Sequence, residues 1–201
     1  MKLIVFDADG TLTRTASGKR FPESPTDKVL RFNPLCLCNP DLYLVVASNQ
    51  KGISLGIKSE EFVEEEFAYL DKITHYIFDC FLLCPDEGET VWINPDHGKT
   101  FIKFGNKPRH SRFADVHFLQ DCDSLIGTFR KPMPGMLQLA EKIAQWTPDG
   151  IRTITDRVFI GDSETDAEAA KNAGFRFWHI DDWLHINGLN EGSNFENTYS
   201  H

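Results

Sequence analysis

Leu3-Ile4-Val5-Phe6-Asp7-Ala8-Asp9-Gly10-Thr11 decides the fold. The apolar run at its start reads as a buried strand. Two carboxylates and a glycine at the C-terminal end of such a strand are costly unless they do chemistry, and in open α/β sheets that end is where ligands bind. Asp7 and Asp9 lie two residues apart on an extended chain, so they point the same way. One can attack or hold a metal while the other handles a proton. The competing reading is an Asx-rich turn that only closes the strand.

Working outward, further strand-like runs occupy residues 42–47, 75–83, 157–160 and 175–180. Helical stretches separate them. Thr26 is placed to cap a short helix to about residue 32, with Asp27 in its first turn. Ser59 is placed to cap a helix to about residue 72, with Phe62, Val63, Phe67 and Leu70 as its apolar stripe. Pro134 suits a first helical position, and Met136, Leu137, Ala140, Ile143 and Ala144 form the next stripe. Ser163 precedes an alanine-rich helix that Gly174 stops. This alternation predicts an α/β fold, a doubly wound parallel sheet with helices on both faces. Residues 12–25 form a polar flap carrying Arg14, Lys19 and Arg20. Residues 85–128 hold short strand-like runs at 90–93, 101–104 and 116–119, read as a small β-rich cap or flap inserted in a domain spanning 1–186. Residues 187–201 read as a polar tail.

Three more signals follow the acid pair. Ser48-Asn49-Gln50-Lys51-Gly52 comes directly after the second strand, and a hydroxyl, an amide and free N–H groups suit a phosphate oxygen. Arg130-Lys131-Pro132 precedes the helix that Pro134 opens, where a lysine can neutralise phosphate charge. Gly161-Asp162-Ser163-Glu164-Thr165-Asp166 follows the fourth strand, and its carboxylates are hard ligands suited to Mg²⁺. Asp166 can also form a capping box with Ser163. Each signal alone is weak, but all fall at strand ends or at the helix starts beside them.

In Asp7 to Thr11, Ser48 with Asn49, Lys131, and Gly161 to Asp166, the chain resembles the haloacid dehalogenase superfamily of phosphohydrolases. The resemblance implies a Rossmann-like core and a phosphatase working through an aspartyl-phosphate. Asp7 would be the nucleophile and Asp9 the general acid and base. Mg²⁺ would be held by Asp7, the main-chain carbonyl of Asp9 and Asp162, with Asp166 in support. Ser48 and Lys131 would hold the transferring phosphoryl group. Asn49, Gln50, Lys19, Arg20 and Arg130 are the candidate substrate contacts.

A narrower resemblance lies in Ser48 to Gly52 and Arg130 to Pro132, which look like the subgroup of histidinol-phosphate, heptose-bisphosphate and polynucleotide 3′-phosphatases. Within it, the flap Thr15-Ala16-Ser17-Gly18-Lys19-Arg20-Phe21-Pro22 is most similar to the polynucleotide 3′-phosphatases. That implies action on the 3′-phosphate ends of DNA or RNA, and a place in DNA repair. No kinase phosphate loop accompanies it, because Gly98-Lys99-Thr100 lacks the upstream glycine and has Ile93 there. Lys99, Lys103, Lys107, Arg109 and Arg112 fall within the inserted segment with no acid among them, and Phe101 and Phe104 interleave. Cations with aromatics make a single-strand binding pattern; the alternative turns both phenylalanines into the core. With Lys19 and Arg20 these cations would make one groove above Asp7.

The cysteines fit no strong zinc spacing. Cys80 and Cys84, with His97 or His110, could ligate zinc, but inert buried thiols are the better reading, and Cys36 and Cys38 are read as structural too. The absence of a zinc loop before Arg130 weakens the rival reading, a sugar-phosphate or histidinol-phosphate phosphatase. A rival of another class is a non-catalytic phosphate-binding module, which fold alone does not exclude.

The formal charge of -9 argues against broad adhesion to nucleic acid but not against a local basic groove. An apolar content of 41% over 201 residues suits one soluble domain. Five cysteines, an odd number, fit reduced thiols. With a strand starting almost at residue 1 and no long apolar run, we expect no membrane partner, a monomer, and a cytoplasmic location, or nuclear if eukaryotic.

Overall fold

The computed structural model describes residues 1–95, 97, 101–105, 119, 121–147 and 150–189. Its strands in chain order are β1 (Lys2–Phe6), β2 (Thr13–Arg14), β3 (Val29–Leu30), β4 (Leu42–Asn49), β5 (Cys80–Cys84), β6 (Thr90–Asn94), β7 (Ile102–Gly105), β8 (Trp146–Thr147), β9 (Gly150–Ile151), β10 (Asp156–Gly161) and β11 (Arg176–His179). The helices are α1 (Glu60–Ile73), α2 (Gly135–Gln145), α3 (Glu164–Ala173) and α4 (Ile180–Ile186).

The central sheet has seven strands in the order β11-β10-β1-β4-β5-β6-β7. Pairing is parallel from β11 to β5 and antiparallel from β5 to β7. Because successive side chains of a strand point to opposite faces, each parallel strand feeds two cores. Leu3 and Val5 join Met136, Leu137, Ala140, Ala169 and Ala170 on the face covered by α2 and α3. Phe6 and Val46 join Val63, Phe67, Leu70, Ile180 and Leu184 on the face covered by α1 and α4. This is the expected doubly wound α/β fold. The chain leaves β1 for β4 on one side and returns to β10 on the other, so β1 stands at the topological switch point, where open sheets bind ligands.

The helix caps follow the sequence. Ser59 caps α1 by accepting from the Phe62 N–H. Ser163 and Asp166 form a reciprocal capping box on α3, and Gly174 ends it in the left-handed region at φ 75°. Such a terminus suits glycine, which has no Cβ to clash.

Four expectations are corrected. Residues 26–32 are not helical: Val29–Leu30 pairs antiparallel with Thr13–Arg14. Thr26 caps no helix and Asp27 sits in no first helical turn; the Asp27 carboxylate accepts instead from the Ser17 N–H and hydroxyl, both at 2.7 Å, and from the Glu23 N–H at 2.9 Å. The third core strand starts at Cys80 rather than residue 75, after a turn with His75 and Tyr76 both at φ 58°. Runs 90–93 and 101–104 do form strands, but they extend the central sheet rather than build a separate cap. Cys36 and Cys38 are exposed on a short 3-10 turn, whereas Cys80, Cys84 and Cys122 are buried. Burial pushes the Cys84 thiol up to about 12, as expected of an inert group. Residues 116–118 of the run 116–119, His110 and most of the 187–201 tail lie outside the described residues.

Candidate active site

Register brings the motifs together. Phe6 pairs with Val46 on one side and Ile160 on the other, so the chain emerges from β1, β4 and β10 at one level. Asp7, Ser48 and Asp162 are the residues that follow at that edge. The Asp7 N–H donates to the Ile160 carbonyl at 2.9 Å, which ties the first acid to β10. Beyond it the chain turns back sharply, with the Leu12 and Thr13 N–H groups both donating to the Ala8 carbonyl at 3.0 Å. Gly10 carries that turn at φ 88°, and a Cβ there would overlap the Asp162 carboxylate. The glycine of the motif is therefore required twice, for backbone conformation and for space.

Lys131 reaches into this edge from the loop ahead of α2 and is buried. Its Nζ lies 2.5 Å from Asp7 Oδ1, 2.6 Å from Asp166 Oδ1 and 3.1 Å from the Ala47 carbonyl. Asn49 holds the lysine's main chain from both sides: the Lys131 N–H donates to Asn49 Oδ1 at 3.0 Å, and Asn49 Nδ2 donates to the Lys131 carbonyl at 3.1 Å. Ser48 is buried, and its hydroxyl accepts from Gln50 Nε2 at 3.0 Å, which leaves its own proton free for an acceptor.

Oxygens of Asp7, Asp162 and Asp166 all lie within 4.8 Å of one another. Burial pushes Asp7 up to about 7, Lys131 pulls it down, and Asp166 adds to the push. Asp162 is raised by burial and then by Asp166. Burial would lower Lys131, but Asp7 and Asp166 outweigh it and hold the lysine above its usual range. Asp166 Oδ2 is occupied by the capping box, while Oδ1 faces Lys131 without an aligned hydrogen bond. Three crowded carboxylates around one buried ammonium leave a surplus of negative charge that fits a hard divalent cation such as Mg²⁺.

Asp9 stands apart from this cluster, with its side chain half exposed. Lys28 Nζ donates to its Oδ1 at 2.7 Å and Gln50 Nε2 to its Oδ2 at 3.1 Å. Desolvation pushes Asp9 up, but Lys28, with help from Lys58 and Gln50, holds it below the usual carboxylate range.

The remaining candidates are engaged locally. Lys19 pairs with Glu23, and Arg20 lies over the Phe21 ring at 5.4 Å. Arg130 lies 3.4 Å from Glu87. Of the basic insertion only Lys103 is described; it pairs with Glu60 at 2.6 Å and lies over Trp92 at 4.2 Å. Lys99, Lys107, Arg109 and Arg112 lie outside the described residues. Phe101 and Phe104 are buried, Phe101 against Trp92 and Phe104 against Phe129. They are core residues and offer no face to a base, as the alternative reading of these phenylalanines has it. His97 bonds to Asp71 at 3.1 Å rather than to a cysteine pair.

Sequence reasoning missed Lys28, Glu66 and Arg31. Arg31 is buried and bridges the Gly10 carbonyl and Asp181, each at 2.5 Å. Nothing local marks it. Glu66 had a signal: it falls within the apolar stripe of α1 and is fully buried there. An acid on a core-facing helix position calls for a partner.

Solved structures share this fold. The D,D-heptose 1,7-bisphosphate phosphatase of B. bronchiseptica, complexed with magnesium and phosphate, aligns at a TM-score of 0.57 and 20% identity over 96% of this chain and 91% of that one. A HAD-like phosphatase assigned as putative in Mesorhizobium loti aligns at 0.53 and 21% identity over 89% of this chain and 72% of that one. Among curated proteins no sequence matches the chain. Fold and family together define the class: a phosphatase of the haloacid dehalogenase type. Residues 2–182 match the family model described as polynucleotide kinase 3 phosphatase, and the chain belongs to that family. Among the described residues no helix is long and apolar enough to cross a membrane.

Proposed function

We propose that this phosphatase removes 3′-phosphates from polynucleotide ends through an aspartyl-phosphate on Asp7. The observation that carries the chemistry is the buried Asp7 carboxylate with Lys131 Nζ at 2.5 Å and Asp162 and Asp166 beside it. A carboxylate approaching a phosphate dianion meets like charge, and Lys131 offsets it while stabilising the equatorial oxygens of the transition state. Ser48 donates its free proton to one of those oxygens. Asp7, the Asp9 carbonyl and Asp162 would hold Mg²⁺, with Asp166 in support. When bound there, Mg²⁺ supplies positive charge to the attacking carboxylate and the phosphoryl group. Asp7 forms the new P–O bond as the bond to the alcohol breaks, and Asp9, which has to take up a proton against the pull of Lys28 before this step, passes it to the departing oxygen. Ionised Asp9 then takes a proton from the water that hydrolyses the aspartyl-phosphate. Asn49 and Gln50 act in this scheme by aligning Lys131, Ser48 and Asp9.

The polynucleotide substrate is supported by the family description and by the flap sequence from Thr15 to Pro22. A small-metabolite substrate is the second reading, favoured by the burial of Phe101 and Phe104. The test is phosphate release with Mg²⁺ from a 3′-phosphorylated oligonucleotide, a 5′-phosphorylated one and a panel of sugar phosphates, with Asp7→Asn as blank. We expect a strong preference for the 3′ end, absent in the blank. Turnover of sugar phosphates alone would reject the nucleic-acid substrate and keep the chemistry.

A further inference from the structure

A chain of alternating charges runs inward from Asp9. Lys28 Nζ lies 2.7 Å from Asp9 Oδ1 and 3.0 Å from Glu66 Oε1, and Lys58 Nζ lies 2.8 Å from Glu66 Oε2. The side chains of Lys28 and Glu66 are 2% and 0% exposed. Lys28 also lies over the Phe67 ring at 5.9 Å and Lys58 over Phe62 at 5.4 Å, so the inner part of the chain is walled by the apolar face of α1. Three separate segments meet here: the loop after β1, the flap strand that begins beside Lys28, and α1. Buried ion pairs add little net stability compared with apolar side chains of the same volume. A network this deep is therefore poorly explained as glue. Its outer end falls on one oxygen of a half-exposed carboxyl group whose other oxygen Gln50 holds.

We propose that Lys28 is a positioning residue for proton transfer: backed by Glu66 and Lys58, it fixes the Asp9 carboxyl group where the leaving-group oxygen meets it. This inference rests on the reading of Asp9 as the general acid. The role differs from charge neutralisation at the phosphoryl group, which belongs to Lys131 against Asp7 and Asp166. A misplaced acid slows only those substrates whose leaving group needs a proton.

The experiment compares kcat/KM, which reports the steps through departure of the leaving group, for two Mg²⁺-assayed substrates. β-Glycerophosphate releases a secondary alcohol and needs the proton; p-nitrophenyl phosphate releases a stable phenolate and does not. In Lys28→Met we expect kcat/KM to fall by about 10²-fold for β-glycerophosphate, the scale of a small misplacement of a catalytic group, and by less than about threefold for p-nitrophenyl phosphate. Lys28→Arg should recover much of the loss. The double variant Lys28→Met/Glu66→Gln removes both buried charges, keeps the fold testable, and should show the same selectivity. Equal losses on both substrates, or none, would overturn the inference. Asp9→Asn separates it from the reading beneath: if Asp9→Asn retains β-glycerophosphate turnover, Asp9 is not the acid, whatever Lys28 does. If Asp9→Asn loses it and Lys28→Met does not, only the positioning role falls.

Discussion

Lys131 is the residue on which the site's charge balance turns. It is buried beside Asp7 and Asp166, and its ammonium is the near counter-charge to both. Removing one partner of a buried ionic set leaves charge without compensation. Lys131→Met should therefore cost about 3–5 kcal/mol of stability in urea unfolding at neutral pH. Mg²⁺ should recover part of that loss, because a ligand that binds only the folded state stabilises it in proportion to its occupancy. An unchanged urea midpoint would show that the acids are not held together by this lysine. Asp7, Asp9, Ser48, Asp162 and Asp166 are legible as residues because each sits within a few positions of a strand end that the apolar pattern marks, and Lys131 because it lies just ahead of an amphipathic helix. Lys28, Glu66 and Arg31 are not, since their partners come from other segments and only the tertiary fold supplies them. Glu66 is the intermediate case: its helix position says it is buried, and the fold says why.

Among the elements, the flap between β2 and β3 is where local propensity and tertiary structure diverge. Thr26 and Asp27 are good helix-starting residues, yet Asp27 is used across the flap by Ser17 and Glu23. The N–H of Glu23 and the hydroxyl and N–H of Ser17 hold its carboxyl below the usual range. A group with a lowered folded pKa contributes stability that is present above its unfolded value, about 3.9 for Asp, and is lost as pH falls through the folded one. The flap should thus be closed at neutral pH and loosen under acid, seen as falling amide-exchange protection at Ser17 and Glu23. Asp27→Ala should loosen it at pH 7, and trypsin would then cut faster after Lys19 or Arg20. Equal cleavage rates in the variant and the parent would refute this anchoring. The edge hairpin of β6 and β7 teaches the complementary lesson. Its residues have strand character in sequence, but whether they form a cap or extend the sheet depends on a partner, β5, which the hairpin's own sequence does not name.

For the whole molecule, the alternation of apolar strands with amphipathic helices is enough to predict the doubly wound sheet, because both core faces are written into the strands themselves. The five cysteines test that burial. Cys36 and Cys38 are exposed, while Cys80, Cys84 and Cys122 lie in the core. Ellman's reagent should titrate two thiols quickly in the native protein and all five after unfolding. Rapid reaction of a third native thiol would show that the core opens more readily than its packing implies. One earlier feature bears on how heat reaches the site. The Asn49 side chain meets the Lys131 main chain with one bond in each direction, the pattern that one peptide unit makes with another. The amide stands in for a missing strand, so the lysine's loop is in effect an extra rung on β4. Surface loops can fray without disturbing that lysine, and the site should stay aligned until the ladder itself begins to unzip.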